Sequence, residues 1–456
     1  MIYTTIKHIN QFMWGNFLII LLLGSGLFFT IKFKFIQIRK FKEGFKRVTS
    51  SATLNGEKAG NNGMSSFQAL ATAIAAQVGT GNLAGAATAI ASGGPGAIFW
   101  MWLSAFFGMS TIYIEATLAQ LFKTRINNQV TGGPAYYISQ GLGNNKFSRL
   151  LAAFFSISCI FALGFMGNAV QSNSIAYAFK DIISIPSYII GLSLAILAGF
   201  VFFGGIKRLV SLIEKIVPTM AFSYIFVCLI ILLFNINYII PAFKDIIIGA
   251  FNPQAILGGA LGITIKKSLR YGVSRGLFSN EAGMGSTPHA HAIAKVAHPQ
   301  DQGTVALITV FIDTFVILTL TALVIIISHV DYSTHTGILL TQKAFETTLG
   351  HFGKIFIGIC LFFFAFSTII GWYFFGEANI KYLFKNKYSL SIYKILVMIL
   401  IFLGSTLNVE FAWELADLFN GFMVIPNIIA LLFLYPMVEK ASNIPHIPLE
   451  PICPLE

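Results

Sequence analysis

Ala75-Ala76-Gln77-Val78-Gly79-Thr80-Gly81-Asn82-Leu83-Ala84-Gly85 stands in the middle of a stretch, residues 59–114, that contains no Asp, Glu, Lys or Arg. A run that long and apolar is membrane material, because about 20 such residues carry a helix across the hydrocarbon of a bilayer. Three glycines, a threonine, a glutamine and an asparagine nevertheless weaken the coil at a depth where no water replaces lost backbone bonds. Such an interruption is tolerated where it faces a cavity or a ligand. Close helix packing through Gly81 and Gly85, which have small-xxx-small spacing, is the competing reading. A dinucleotide-binding loop fits less well, since the glycines are spaced G-x-G-x-x-x-G and no strand precedes them.

The rest of the chain has the same character. Its 456 residues are 56% hydrophobic and only 11% charged, with a mean hydropathy of +0.76. That is too little polar surface to coat a water-facing globule of this size, which excludes an ordinary cytosolic enzyme. Uncharged runs recur at 9–31, 150–179, 182–206, 216–243, 246–265, 314–328, 355–376, 395–409 and 418–438. They predict an all-α integral membrane protein with eleven spans, at about 12–31, 64–90, 97–121, 150–179, 185–203, 216–234, 255–281, 303–328, 353–380, 392–408 and 412–436. Period-2 alternation is absent, which argues against a transmembrane barrel.

The net charge of +12 suggests nucleic acid until the basic residues are placed between the spans. With the amino terminus outside, 21 fall in inside segments and 5 in outside ones, so the carboxyl terminus is expected in the cytoplasm and no nucleic-acid partner is implied. The positive flank of the first apolar run follows it instead of preceding it, which favours a retained span over a cleaved signal peptide. Cys159, Cys228, Cys360 and Cys453 form no disulfide framework or metal-ligand spacing. His289 and His291 have no third ligand nearby in sequence.

A second anomaly lies five spans later, in Lys266-Lys267-Ser268-Leu269-Arg270-Tyr271-Gly272-Val273-Ser274-Arg275-Gly276-Leu277-Phe278-Ser279-Asn280-Glu281-Ala282-Gly283-Met284-Gly285. Four glycines with charges between them cannot face lipid, so this segment is expected to be buried in protein or to line water. Interrupted hydrophobic segments at matching positions in two halves point to a secondary transporter built from inverted repeats, with solute held at the breaks. Setting the first span aside, the interrupted helices are the first and sixth of ten. Five spans per half is odd, so the halves are expected to have opposite orientation.

Gly63-Met64-Ser65-Ser66-Phe67-Gln68-Ala69, Val78-Gly79-Thr80-Gly81-Asn82, Thr131-Gly132-Gly133-Pro134-Ala135-Tyr136-Tyr137 and Arg275-Gly276-Leu277-Phe278-Ser279-Asn280-Glu281-Ala282-Gly283 resemble the alanine or glycine:cation symporters, the sodium:alanine symporter family, over roughly residues 15–440. The resemblance implies a five-plus-five inverted repeat of the amino acid-polyamine-organocation type, preceded by one extra helix. The expected division is 1–58 for the extra helix and a basic cytoplasmic loop, 59–240 and 241–440 for the two repeats, and 441–456 for a cytoplasmic tail. It further implies sodium- or proton-coupled uptake of small neutral amino acids such as alanine and glycine; the inside-positive tail and the lack of an organelle-type presequence suggest a bacterial or archaeal plasma membrane. Na+ is then the coupling ion, and no organic cofactor is expected.

A zwitterionic amino acid needs partners for both its charges after losing water. The exposed N–H groups and positive dipole end of a half-helix suit its carboxylate, and free carbonyls suit its ammonium. Gly79, Thr80, Gly81 and Asn82 are therefore assigned to substrate, joined by Gly276 and Asn280 from the other break. Asn168 and Gln171, one turn apart beside Phe165, either face the pocket or bond between helices. Trp372, on the same face as Thr368, either caps the pocket and limits side-chain size or simply packs. By the resemblance, Ser367 and Thr368 with the carbonyls of Phe364, Ala75 and Val78 would surround a sodium ion, a hard cation that prefers oxygen. Standing alone, such hydroxyls more often bond back to carbonyls of their own helix. Glu115 and Asp313, acids inside the second and seventh core helices, are expected to pair with Lys266, Lys267, Arg270 or Arg275 or to relay protons.

No G-x-x-x-x-G-K-[ST] loop is present, so ATP hydrolysis by this chain is not indicated. A passive amino-acid channel is the alternative from another class, although interrupted helices in opposed halves favour alternating access. A glutamine or serine carrier is the alternative within the same class. A membrane enzyme would need a convergent nucleophile–base set or metal ligands, and none of persuasive spacing is found.

Overall fold

The computed structural model describes residues 2–49, 64–126, 129–252, 264–332, 334–384 and 386–442. Gly63, most of the loop before it with the 58/59 boundary, the opening of the 255–281 span and the tail beyond 442 lie outside the described residues.

Among the described residues seven helices are long and apolar enough to cross a membrane: Tyr3–Lys32, Ala97–Leu121, Lys146–Ile183, Arg208–Phe234, Pro299–Ile327, His351–Leu383 and Val409–Ser442. Ser187–Phe203 and Tyr388–Gly404 are apolar but shorter. Large apolar side chains such as Ile20, Phe200, Phe222, Leu233 and Phe433 stay exposed, an arrangement that water would not tolerate and lipid favours. Several shorter elements lie outside the predicted spans, among them the helix Gly337–Leu349. Ile236–Phe251 is a helix with Lys244 and Asp245 near its middle, which hid it from a search for uncharged runs. Thr124–Ile126 and Gln129–Thr131 pair as antiparallel strands, with Thr124 opposite Thr131.

The hairpin explains one of the long motifs. Gly133 has φ +126°, and a Cβ there would stand 2.6 Å from the His289 ring, while one at Gly132 would stand 2.6 Å from Ala292. The two glycines thus let the chain press onto the short helix Pro288–Ala292 before Pro134 opens the helix Pro134–Gly141 from its first turn.

The two interrupted segments run antiparallel through the centre. The first comprises Ser66–Gln77, the wide turn Gly81–Gly85 and Ala86–Gly93; the second comprises Ile265–Asn280 and Pro288–Ala292. At one end Met64 bridges Ala294, with Met64 N–H on Ile293 O at 3.2 Å and Lys295 N–H on Met64 O at 3.1 Å. At the other, Gly93 lies against Ser268 and Tyr271. The N-terminal helix packs outside this pair. Gly26 lies against Phe107, Asn10 bonds Glu414, and Trp14 donates to Asp417 O at 3.1 Å.

Candidate functional site

Ser65 and Gln68 form a capping box that starts the first half-helix, and the coil ends at Val78, where ψ turns to 88°. In an unbroken helix Gly79 N–H would bond Ala75 O. Here it is taken by Asn82 Oδ1 at 3.0 Å, and Thr80 N–H goes to Gln171 Oε1 at 3.2 Å. The released carbonyls converge on one hydroxyl. Thr368 Oγ1 lies 2.8 Å from Ala75 O, 3.0 Å from Phe364 O and 3.5 Å from Val78 O. One proton cannot serve three acceptors at once, so this is an oxygen-rich spot of the kind that suits a hard cation. Ser367 touches the group only through Phe364 O, to which its hydroxyl donates at 2.9 Å. Gly79 closes the group: a Cβ there would stand 2.4 Å from Thr368 Oγ1.

Asn82 reaches further. Its Nδ2 donates to Asp313 Oδ1 at 2.7 Å and to Asp313 O at 3.1 Å. The same carboxylate accepts from Ser279 Oγ at 3.0 Å and Thr314 Oγ1 at 2.9 Å. Gly81 permits this closeness, since its Cβ would fall 2.8 Å from Ser279 Cα; Gly85 has nothing nearer than 3.7 Å. The polar atoms Thr80 Oγ1, Gln77 Oε1, Gln171 Nε2 and Asn168 Oδ1 are buried without a hydrogen-bond partner among the described residues. Leaving such groups unmatched costs about 1–3 kcal/mol each. Asn168 otherwise bonds Gly164 O on its own helix, and Phe165 stands aside, packed on Phe161 and Tyr393.

The second break falls later than the glycine pattern suggested. Ile265–Asn280 is one coil, within which Gly272 packs against Ala97 and Trp100, and Gly276 against Ser104. Gly276 is therefore a packing glycine, not part of the break. Asn280 does lie at the end of the coil, where Gln77 Nε2 donates to its carbonyl at 2.7 Å and its own Nδ2 donates to Thr314 Oγ1 at 3.2 Å. Beyond it Glu281, Gly283 and Gly285 all have positive φ. Trp372 Nε1 and Ser286 Oγ donate to the two oxygens of Glu281, and Asn427 Nδ2 and Gly283 N–H donate to those of Glu115. The Trp372 ring also sits edge-on to Phe278 and against Gly167. Trp372 thereby links the helix that carries Thr368 to the second break.

The expected partners of the buried acids are not the observed ones. Glu115 and Asp313 are held by neutral donors, whereas Arg275 forms a two-point ion pair with Asp417, at 2.8 and 2.9 Å, while lying 4.3 Å above the Trp413 ring. Charged donors suit a buried acid best, but an amide and two hydroxyls can also saturate a carboxylate, and spacing along the chain cannot tell which will be near. Among the described residues no group of three or more His, Cys, Asp or Glu is placed to hold a metal. His289 lies between Ser286 O and Asn379 Nδ2, and His291 faces Gln302. A cavity of about 390 Å³ lies elsewhere, between the hairpin, Tyr136 and the C-terminal part of the helix His351–Leu383. Ser279, Thr314 and Glu281, which no sequence motif assigns to the breaks, stand beside them together with Gln77. Only their burial beside a break marks them.

The family model for the sodium:alanine symporter family matches residues 1–444. The chain is 42% identical over 432 residues to the amino-acid carrier protein AlsT of Bacillus subtilis, covering 94% of this chain and 89% of that protein. It is 41% identical over 443 residues to the sodium/alanine symporter AgcS of Methanococcus maripaludis, covering 96% of each. Among solved structures it shares a fold with MhsT in complex with L-phenylalanine, at a TM-score of 0.55 and 13% identity over 84% of this chain and 100% of that one. The manganese transporter of Eremococcus coleocola gives a TM-score of 0.51 at 13% identity, over 82% of this chain and 77% of that one.

Proposed function

The chain belongs to the sodium:alanine symporter family, whose named members are transporters and not enzymes, and from that premise we propose that it couples inward sodium movement to uptake of a small neutral amino acid such as alanine or glycine. The observation that carries this reading is the gathering of Ala75, Val78 and Phe364 carbonyls around Thr368 Oγ1 at a helix break. Sodium in that position replaces the hydroxyl proton as the partner of the carbonyls and leaves the hydroxyl oxygen as a further ligand. Ser367 joins only by rotating off Phe364 O.

The substrate carboxylate is assigned to the N-terminal end of the half-helix at Thr80, Gly81 and Asn82, with Gln171 and Asn168 turning their free amide atoms to the zwitterion. Trp372, pinned by Glu281, limits the side chain to a small one, while Phe165 and Gly276 supply packing. A glutamine or serine carrier would keep the ion group and differ at this wall. Transport proceeds by alternating access, the antiparallel segments opening first to one face and then to the other. Each sodium ion moved across 100 mV contributes about 2.3 kcal/mol to accumulation.

The architecture proposed is eleven crossings: one extra helix with its basic loop at 1–58, repeats at 59–240 and 241–440, and a tail at 441–456. The amino terminus lies outside and the carboxyl terminus in the cytoplasm of a prokaryotic cell. The seven long helices, two shorter apolar ones and two interrupted segments support that count. Asp313 favours a second reading of the coupling ion, because a buried carboxylate next to Asn82 can carry a proton as readily as it can face a cation.

Proteoliposome uptake with and without a sodium gradient tests the proposal. Concentrative alanine or glycine uptake that requires the gradient is expected. Accumulation driven by a proton gradient alone would reassign the ion, and flux without saturation or counterflow would make the protein a channel.

A further inference from the structure

Where the N-terminal span ends at Lys32, the chain turns at Lys34 and Phe35, both with positive φ, and continues as two short helices, Ile36–Arg39 and Phe41–Thr49. One face of this elbow is fixed to the protein. Gln37 Nε2 donates to Thr30 Oγ1 at 3.1 Å, and a Cβ at Gly44 would stand 2.5 Å from Thr304 O. Phe41 meets Phe311 edge-on at 4.8 Å, and Arg47 pairs with Asp301 at 2.9 Å.

The other face is unlike a water-facing surface. Phe35, Ile38 and Phe45 are exposed there, at 47%, 61% and 51%, between the exposed Lys34, Arg39, Lys42 and Lys46. Residues 32–47 hold seven Lys and Arg and a single acid, Glu43, which Lys40 and Arg47 already bond at 2.5 and 3.0 Å. Lys34, Lys42 and Lys46 have no carboxylate partner among the described residues. Apolar side chains interleaved with surplus lysines, joined directly to a membrane helix, match the boundary between acyl chains and headgroups.

We infer that residues 33–49 bind the phosphate headgroups of anionic phospholipids, with Phe35, Ile38 and Phe45 lying among the upper acyl carbons. The inference rests on the chain crossing a membrane, not on its solute or ion. A sidedness signal read during insertion explains the lysines but not the exposed aromatic and aliphatic side chains between them. The elbow is docked to the helix Pro299–Val310, three residues before Asp313, so bound lipid steadies the base of the segment that holds this acid.

The test is native mass spectrometry of the purified full chain with phosphatidylglycerol, phosphatidylcholine or free glycerol phosphate. Phosphatidylglycerol is expected to be retained in preference to phosphatidylcholine, and glycerol phosphate is expected not to displace it. The variant K34Q/K42Q/K46Q should lose at least about tenfold in phosphatidylglycerol affinity, given about fivefold per lysine near an anionic surface. K34R/K42R/K46R should keep the preference, which separates charge from loss of fold. Equal retention of the two lipids by the native chain, an unchanged preference in the Gln variant, or displacement by glycerol phosphate would overturn the inference. Because the readout is lipid retention, failure of sodium-coupled uptake leaves it unaffected.

Discussion

The two breaks at the centre of the molecule solve the same problem in opposite ways. At Val78–Gly79 the coil opens over two residues without a charge of its own, and the freed groups are met by Thr368, Gln171 and Asn82. At Glu281–Thr287 the chain departs for a full seven residues, three of them left-handed, and is clamped by two carboxylates and Asn427. The first break leaves carbonyl oxygens sharing one proton, which an ion can displace. The second is bonded at nearly every turn, which under the proposed mechanism makes it the wall against which the first works. What distinguishes them is whether the replacement partners can be exchanged.

That contrast is sharpest at Asn82. Asn82→Ala removes the acceptor of Gly79 N–H and the amide on Asp313, and bonds to a charged group contribute about 1.5–3 kcal/mol, so uptake should fall on the order of 100-fold with membrane insertion unchanged. Normal uptake kinetics would show that the first break is not the working one. Gly79→Ala comes next: the added methyl displaces Thr368 Oγ1, and initial rates should fall about tenfold or more, a loss that higher sodium does not fully repair. For Thr368→Ala, sodium titrations of uptake should show apparent ion affinity about tenfold weaker, with substrate affinity in saturating sodium changed less. An unaltered sodium dependence removes Thr368 from the ion group. On the other break, Glu281→Gln points an amide N–H2 at either Trp372 Nε1–H or Ser286 O–H; the maximal rate should fall several-fold while half-saturating sodium stays fixed. A shifted sodium dependence there would erase the distinction between site and wall. Ser367→Ala should change sodium affinity less than about twofold, since its hydroxyl bonds within its own helix.

Much of this was legible in the chain because the bilayer punishes exceptions. Glycines and amides inside an uncharged run have few explanations, and the first break lies where Gly79 and Asn82 placed it. The second is confined by sequence only to the segment 266–285, because glycine serves two purposes. Gly272 and Gly276 admit a neighbouring helix to an intact coil, and the coil ends at Glu281, a residue whose left-handed conformation no side-chain preference announces. The partners of Glu115 and Asp313 were misjudged for a different reason. Asn82 and Asp313 are 231 residues apart, and pairing at that separation is fixed by the packing of the whole bundle. Ser367 and Thr368 are adjacent and chemically alike and share Phe364 O, yet a rotation of 100° per residue lets only Thr368 also reach the carbonyls of the break.

The backbone bridge between Met64 and Ala294 has a mechanical consequence. It yokes the foot of one central rod to the foot of the other by two peptide hydrogen bonds, together contributing about 1–3 kcal/mol. Under the alternating access proposed above, a passage on that side cannot be made by swinging one rod alone at no cost: either both feet travel as a single leaf, or the clasp is undone at every turnover.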